Sequence, residues 1–365
     1  MDEKPAVPRG TPLRIILIIL LILALVAVTV LGGAYLYYRS KIGMLQPDET
    51  LPSEDRVLDA SQEQELNEQG QDLNEEIQDI LAGLETVDPV LPSTEPVIPE
   101  QPPVEDDHVI NILFIGTDDA GSGFSTNARG DSCILFSINT AGDHPVVSLV
   151  SFERGMGVPI LEGQYEGQWD WLTHTFRYGG AELMLKEIQH CFSLDVDYYV
   201  RVNFNSFISG INAIGGVDVE FDREEANYFI DTYCYPAVVG MNHLDGRMAL
   251  RYARLRAIDS DWQRIQRQRE VIASALNQLK RLNLADADSL INELLGLVRT
   301  NMDEAAITKL LLLLPSLPQA TVQEMTIPQE GTYGGMIGMG GRGLFAADFE
   351  VNTRILHEFL YGIEE

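Results

Sequence analysis

Basic residues are scarce in this chain of 365 residues, where 25 Lys and Arg face 55 Asp and Glu and the formal net charge is −30. Nucleic acids are bound through basic surfaces, so this balance excludes a nucleic-acid partner and argues against broad adhesion to anionic lipid. The 6 histidines and 3 cysteines show no spacing typical of a metal cluster. The sequence also lacks the glycine-rich phosphate loop of nucleotide-binding proteins and the Gly-x-Ser-x-Gly motif of serine hydrolases.

The three cysteines are an odd number, which predicts no complete disulfide framework. Cys133 lies in an apolar run and is typical of a core residue. A disulfide between Cys191 and Cys234 stays open at this point, as does the alternative of two free thiols.

One long apolar run lies near the N-terminus, at residues 15–38, and it contains no charged residue. A helix of about 20 apolar residues crosses the hydrocarbon core of a bilayer. Tyr37 and Tyr38, followed by Arg39 and Lys41, close the run in the manner of an interfacial belt. A signal peptide has a shorter apolar run and a small-residue cleavage site, so we expect an uncleaved transmembrane helix rather than a cleaved leader.

An acidic, proline-bearing stretch follows the apolar run and is predicted to be an extracytoplasmic spacer at residues 39–107. Between positions 42 and 107 it holds nineteen Asp or Glu and a single base, Arg56. Within it, the apolar spacing over residues 61–84 indicates a possible helix. Because such a spacer belongs outside the cytoplasm, we predict a cytoplasmic tail at residues 1–14 and a single-pass protein of the cell membrane with its folded domain outside.

Residues 108–283 show the alternation of apolar strands and helical patterns expected of a layered α/β domain. Val109–Ile115 is almost continuously apolar, which suits a strand buried on both faces. The clearest helical stripe lies within residues 261–282. We predict a central mixed β-sheet with helices on both faces, followed by a helical extension at residues 284–365 that packs on the domain and contains a mobile glycine-rich loop at residues 331–343.

Two aspartates are candidates for a metal site. Asp118 lies just past the end of the first strand, where open α/β sheets place their ligands, and Asp131 opens the next strand. Two carboxylates at one point repel each other unless a cation lies between them, and oxygen ligands of this kind favour Mg²⁺ or Mn²⁺. Spacing alone leaves a second interpretation open, in which both aspartates form turns or cap backbone groups.

Arginines form the second candidate group. Arg154 follows an apolar strand, and Arg254 and Arg256 precede the predicted helix at residues 261–282. On a helical wheel Gln268 falls within the apolar stripe of that helix, Arg264 lies at its edge and Arg267 lies well outside. Guanidinium groups bind phosphate oxygens in pairs, and a helix N-terminus favours anions. The alternative is that these arginines form salt bridges in an acidic domain or are solvated.

Several separated blocks of this sequence resemble the LytR–CpsA–Psr domain. The blocks are, in order, Asn111–Asp118, Arg129–Ser132, Ser151–Arg154, Asp197–Phe204, Ile214–Val219, His243–Gly246 with Ala249, Tyr252–Arg256 and Asp261–Gln268. Their order and number make chance agreement negligible, and the single N-terminal span also suits the family. Together they extend over nearly half of the chain.

The resemblance implies an extracytoplasmic, Mg²⁺-dependent phosphotransferase. Members of the family move a teichoic acid or capsule-like glycopolymer from a polyprenyl-pyrophosphate carrier to peptidoglycan, and the lipid tail occupies an apolar tunnel between sheet and helices. The family pattern places the metal at Asp118 and Asp131, with Mn²⁺ as a second possible ion. The predicted catalytic residues are Asp118, Asp131, Arg154 and Arg254, and the predicted pyrophosphate-binding residues are Arg129, Arg154, Arg254, Arg256, Arg264, Arg267 and Gln268.

Two departures from the family pattern leave other functions open. The usual Ile-Pro-Arg-Asp block is Phe-Glu-Arg-Gly here, so Gly155 replaces an aspartate, and the Arg-Ser-Asp block is Arg-Gly-Asp. If the lost aspartate orients Arg154 or accepts a proton, the chain is a non-catalytic protein that binds the lipid carrier or regulates the envelope. A third hypothesis is a polyprenyl-pyrophosphate phosphatase, in which water replaces the sugar acceptor at the same site.

Overall fold

Runs of β-branched and aromatic residues build the strands, and polar N-caps begin several of the helices. The strands are β1 (Gln46–Pro47), β2 (Val109–Thr117), β3 (Gly130–Asn139), β4 (Val146–Phe152), β5 (Gly157–Pro159), β6 (Trp169–Trp171), β7 (Tyr198–Val202), β8 (Val217–Phe221), β9 (Gly240–Leu244), β10 (Arg299–Thr300), β11 (Thr321–Ile327), β12 (Tyr333–Ile337) and β13 (Gly343–Ala347). The helices are α1 (Ala60–Gln69), α2 (Gln71–Glu85), α3 (Leu172–Phe192), α4 (Phe204–Ala213), α5 (Arg223–Tyr233), α6 (Gly246–Ala253), α7 (Asp261–Leu279), α8 (Glu304–Leu313) and α9 (Phe349–Tyr361).

The computed structural model describes residues 46–48, 56, 58–85, 96–119, 124–259, 261–279, 298–313, 316 and 319–362. All of them belong to one compact unit, which extends from Leu45 to Glu365. The predicted cytoplasmic tail and membrane span, residues 1–38, lie outside the described residues. Within the described ranges, no helix is both long enough and apolar enough to cross a bilayer.

A mixed sheet forms the centre of the domain, in the strand order β1-β10-β7-β2-β3-β4-β11. Strands β2, β3 and β4 are antiparallel neighbours, whereas β7 runs parallel to β2 and β11 runs parallel to β4. The antiparallel pairing brings the end of β2 next to the start of β3, with a register shift at Gly116/Thr117. This edge of the sheet therefore brings the two candidate aspartates together.

The sheet is covered by helices on both faces, as the sequence predicted. On one face Leu113, Ile115 and Leu135 belong to a core that α3 and α9 complete. Alternate residues point to the opposite face, where the Ser132 hydroxyl donates to the Gln268 side chain of α7 at 3.1 Å. Helix α7 also contacts β4 and β11 on this side.

A smaller lobe packs beside α7 and has its own apolar core. It contains the hairpin β8–β9 with helices α4, α5 and α6, and the rings of Phe221, Phe229 and Tyr252 lie at its centre. Asp222 and Glu225 form a capping box that begins α5, and Asp245 caps α6. The lobe places the end of α6 and the start of α7 next to the aspartate-bearing edge of the sheet.

The segment predicted as a spacer is in large part folded onto the domain. Strand β1 pairs with β10 and so joins the central sheet, and the predicted helix at residues 61–84 is present as α1 and α2, which meet at Gly70. A Cβ at Gly70 would lie 2.6 Å from the Trp171 ring, so glycine permits the close approach there. The apolar stripe of these helices is buried against the domain, which explains why acidic composition did not keep the segment apart.

The C-terminal segment packs on the domain as expected, and it consists of strands and helices rather than of helices and a loop alone. Strand β11 extends the central sheet, α9 packs on its core, and the glycine-rich residues 331–343 form most of the hairpin β12–β13. The glycines serve packing, since a Cβ at Gly335 would lie 2.8 Å from Leu81 of α2. All three cysteines are free, with Cys191 buried and Cys234 exposed, so the disulfide that the sequence left open is not present.

Candidate active site

Asp118 and Asp131 converge on one guanidinium group, that of Arg129. The backbone N–H of Arg129 donates to Asp118 Oδ1 at 2.8 Å, and Arg129 Nε donates to Asp118 Oδ2 at 3.0 Å. Arg129 Nη2 lies 3.4 Å from Asp131 Oδ2. The two carboxylates thus face a shared positive charge, and the geometry agrees with the expectation that they meet at the sheet edge.

Asp131 is surrounded by further donors from three elements. Arg154, which follows β4, places Nη1 3.4 Å from Asp131 Oδ1, and the Thr173 hydroxyl at the start of α3 donates to the same oxygen at 3.2 Å. Arg264 of α7 donates to the Asp131 carbonyl oxygen at 3.1 Å. Arg154 and Arg264 are each only 4% exposed. Buried guanidinium groups need acceptors, and Arg154 and Arg264 both find one in Asp131.

Thr173 had no signal in the sequence, and its position is fixed by a buried ion-pair cluster. Three residues earlier in the chain, the Asp170 carboxylate accepts from Arg342 Nε at 2.8 Å and Nη2 at 2.6 Å, and His174 Nδ1 lies 2.9 Å away. Burial alone would raise the pKa of Asp170, but His174 and Arg342 lower it to about 2. The hairpin β12–β13 therefore anchors the start of α3 through Arg342.

Gln268 connects the start of β3, next to Asp131, to the end of α6. It accepts from Ser132 and donates through Nε2 to the Ala253 carbonyl oxygen at 3.4 Å. The next residue, Arg254, is exposed and lies over the Phe204 ring at 4.2 Å from the ring centroid. Arg254 is therefore at the rim of the site around Asp131. Its charge faces solvent, where a ligand can reach it.

Two predicted phosphate-binding arginines are engaged elsewhere. Arg256 pairs with Glu76 of α2. Arg267 is buried and pairs with Glu225 at 2.6 Å and with Asp259. Burial would lower the pKa of Arg267, but those two carboxylates raise it above its usual value. Arg267 is therefore neither solvated nor part of the site around Asp131. It connects α7 to the smaller lobe.

The family model for the LytR_cpsA_psr family matches residues 65–348. The chain belongs to the LytR–CpsA–Psr family. The matched range begins in α1 and ends just before α9, so α2 and the hairpin β12–β13 lie within it.

Curated relatives include proteins named polyisoprenyl-teichoic acid–peptidoglycan teichoic acid transferases. TagU of Enterococcus faecalis is 30% identical over 53% of this chain and 60% of that protein. TagT of Bacillus subtilis is 31% identical over 51% of this chain and 58% of that protein. The chain thus spans less than two thirds of the length of these relatives.

Solved structures support the fold. Protein gbs0355 from Streptococcus agalactiae has a TM-score of 0.57 at 23% identity and covers 69% of this chain and 88% of that one. A structure of TagT bound to LIIa-WTA has a TM-score of 0.55 at 24% identity and covers 74% of this chain and 97% of that one. At such identities the likeness establishes the fold alone.

The structure explains the departure at position 155. A Cβ at Gly155 would lie 2.5 Å from Ile77 Cδ1 and 3.4 Å from the Phe345 ring. Helix α2 and strand β13 therefore fill the space that the family's aspartate would need. One residue before Arg154, the side chain of Glu153 is fully buried and accepts from the Gly155 N–H at 3.2 Å, so a carboxyl group is still present at this turn.

The donor set at the sheet edge suits a hard divalent cation. In the described part of the chain no group of three or more His, Cys, Asp or Glu side chains is placed to hold a metal ion. Asp118 and Asp131 nevertheless offer carboxylate oxygens that are about a fifth exposed, beside the Thr173 hydroxyl. Mg²⁺ is commonly bound by one or two carboxylates and takes its other ligands from water and phosphate, so the residues present fit such an ion.

Proposed function

We propose that this chain is a membrane-anchored phosphotransferase that moves a glycopolymer from a polyprenyl-pyrophosphate carrier to peptidoglycan outside the cytoplasm. The observation that carries the proposal is the convergence of Asp118 and Asp131 on Arg129, with Arg154 and Arg264 buried around Asp131. The names of the TagU and TagT relatives support the substrate classes, a polyisoprenyl-linked teichoic acid and peptidoglycan.

The arginines supply the binding of the pyrophosphate. Arg154 and Arg264 are held in place by burial, so their guanidinium groups are preorganised for the oxygens of the transferred phosphoryl group. Arg254 adds a charge at the rim, and Arg256 becomes available when its pair with Glu76 opens. Mg²⁺ held by Asp118 and Asp131 would neutralise phosphate oxygens and stabilise the leaving group.

The reaction is a displacement at phosphorus. A hydroxyl of the acceptor glycan attacks the phosphorus that carries the glycopolymer, and the bond from that phosphorus to the bridging oxygen breaks. Polyprenyl phosphate leaves, and the acceptor gains a phosphodiester. The hydroxyl proton passes to one of the two carboxylates, Asp118 or Asp131, which face the site together.

We assign the lipid tail to the sheet face on which α7 packs. Phe114 and Phe136 are half-buried there with ring centroids 5.7 Å apart, and Ile272 and Leu276 of α7 are also half-buried. Incompletely buried apolar side chains between a sheet and its covering helix suit a polyprenyl tail. The uncharged run at residues 15–38 would anchor the chain in the bilayer that holds this carrier.

The test is a transfer assay with the full-length chain, Mg²⁺, a polyprenyl-pyrophosphate-linked oligosaccharide and peptidoglycan. We expect a peptidoglycan-linked product and an about 100-fold loss of turnover in Arg154→Ala, since removing one transition-state donor commonly costs that much. Release of free oligosaccharide phosphate without acceptor would favour the phosphatase. Binding of the lipid with no turnover would favour the non-catalytic alternative, and an unaffected rate in Arg154→Ala would refute the assignment of the site.

A further inference from the structure

Three arginines hold three consecutive carbonyl groups of the loop that leads into Arg129. Arg201 of β7 donates to the Ser125 carbonyl oxygen at 2.6 Å, and Arg177 of α3 donates to that of Asn127. Arg56 lies 3.5 Å from the Thr126 carbonyl oxygen between them. Two residues further along the chain, Arg129 bridges the two aspartates.

These arginines are buried, so their contacts constrain the loop. Arg56, Arg177 and Arg201 are 6%, 1% and 0% exposed. Arg56 also donates to the Phe176 carbonyl oxygen at 2.8 Å. Arg201 lies between the rings of Phe124 and Phe176, at 4.8 and 4.7 Å from their centroids. A shift of the loop would take carbonyl acceptors away from buried charges, which is costly.

Residues from the N-terminal part of the domain, before α2, take part in each of these three contacts. Besides Arg56, this part contributes Asp48, whose Oδ1 lies 3.4 Å from Arg201 Nη1, and Glu65, whose Oε2 lies 3.3 Å from Arg177 Nη2. Gln62 donates to the Asn127 side chain at 3.2 Å. Burial, together with the neighbouring Arg201, lowers the pKa of Arg56 to about 10, so the guanidinium stays charged at neutral pH.

We propose that Asp48, Arg56, Gln62 and Glu65 support the active site from behind, and that Arg56 is a positioning residue. By fixing the 124–129 loop, Arg56 keeps Arg129 between Asp118 and Asp131, while it touches neither the substrate nor the reacting atoms. The kinetic part of this inference rests on the proposed transferase activity. The structural part, that Arg56 orders the loop, is independent of that activity.

The test compares Arg56→Met, Arg56→Lys and the control Arg354→Met in the full-length chain. Met removes the donors at similar length, Lys restores a charged donor, and Arg354 is exposed on α9. We expect kcat to fall about 10- to 100-fold in Arg56→Met with KM within about threefold, as for other residues that orient a site from behind it. Arg56→Lys should recover part of the loss, and Arg354→Met should match the wild type.

Hydrogen exchange of the same variants separates positioning from general loss of structure. In Arg56→Met, exchange should accelerate in peptides covering residues 118–131 and stay unchanged in those covering β4 and the β8–β9 lobe. Equal acceleration everywhere, or wild-type exchange in residues 118–131, would overturn the inference. If the wild-type chain transfers nothing, the exchange result still decides whether Arg56 orders the loop, so failure of the proposed function is distinguishable.

Discussion

Restoring an aspartate at position 155 should destabilise this protein rather than improve its site. The first atom of the new side chain would lie 2.5 Å from Ile77 Cδ1, well inside van der Waals contact, and Phe345 closes the other side at 3.4 Å. Inserting atoms into a packed core commonly costs about 1–3 kcal/mol. We expect at least that loss for Gly155→Asp, because the carboxylate also enters a buried position.

A double-mutant cycle identifies the cause. Ile77→Ala alone should cost about 2–5 kcal/mol, as expected for truncating a fully buried isoleucine. In Ile77→Ala/Gly155→Asp the space opened by the first change admits the second side chain. The double variant should therefore be less destabilised than the sum of the single variants, by about 0.5–3 kcal/mol.

The measurement is urea unfolding of residues 45–365, with the free energy of unfolding extrapolated to water. Gly142→Asp is the matched control, since Gly142 lies in an exposed turn where a Cβ would meet its nearest neighbour at 3.6 Å. It should change stability by less than about 0.5 kcal/mol. Single-variant effects that add within about 0.5 kcal/mol would refute the steric explanation, as would equal effects of the aspartate at positions 142 and 155.

Three further predictions test neighbouring features. Arg267→Met should lower the free energy of unfolding in urea by about 3–5 kcal/mol, because it removes the guanidinium that pairs with two carboxylates. It should leave kcat of the folded enzyme unchanged. Arg254→Ala should change stability by less than about 0.5 kcal/mol but weaken pyrophosphate binding, measured calorimetrically. Burial raises the pKa of Glu187 to about 8. Since the unfolded chain ionises this carboxyl near pH 4.5, the ordinary pKa of a glutamate, the folded state binds one more proton than the unfolded chain between these two pKa values. Stability should therefore fall as pH rises from about 5 to about 8, and Glu187→Gln should flatten that fall in urea titrations.

Local patterns were sufficient to predict the central sheet and the meeting of the two aspartates. Asp118 ends one strand and Asp131 begins the next, and an antiparallel pair of adjacent strands must bring those ends together. The helical wheel also placed Gln268 inward and Arg264 at the edge, and both lie against the start of β3. The positions of these residues follow from periodicity and from neighbours in the chain, both of which can be read from the sequence.

Contacts between distant segments could not be predicted from such local patterns. Arg267 was predicted to lie outside the apolar stripe, and it does, but the smaller lobe covers that flank of α7 and supplies Glu225. No periodicity within α7 carries information about a carboxylate 42 positions earlier in the chain. Thr173 was missed for the same reason, because its place beside Asp131 depends on how α3 packs against the sheet.

The acidic N-terminal segment and the glycine-rich C-terminal segment were each interpreted from composition, but in the structure they pack against each other. Ile77 of α2 is fully buried beside Phe345 of β13, in a cluster to which both ends of the domain contribute. Acidic residues predicted a spacer and glycines a mobile loop, since neither composition shows a partner as far along the chain as Gly343 is from Asn74, 269 positions. The same contact occupies the space next to Gly155. The departure from the family's aspartate and the folding of the two segments are therefore one structural feature, and a variant that separates α2 from β13 should affect both.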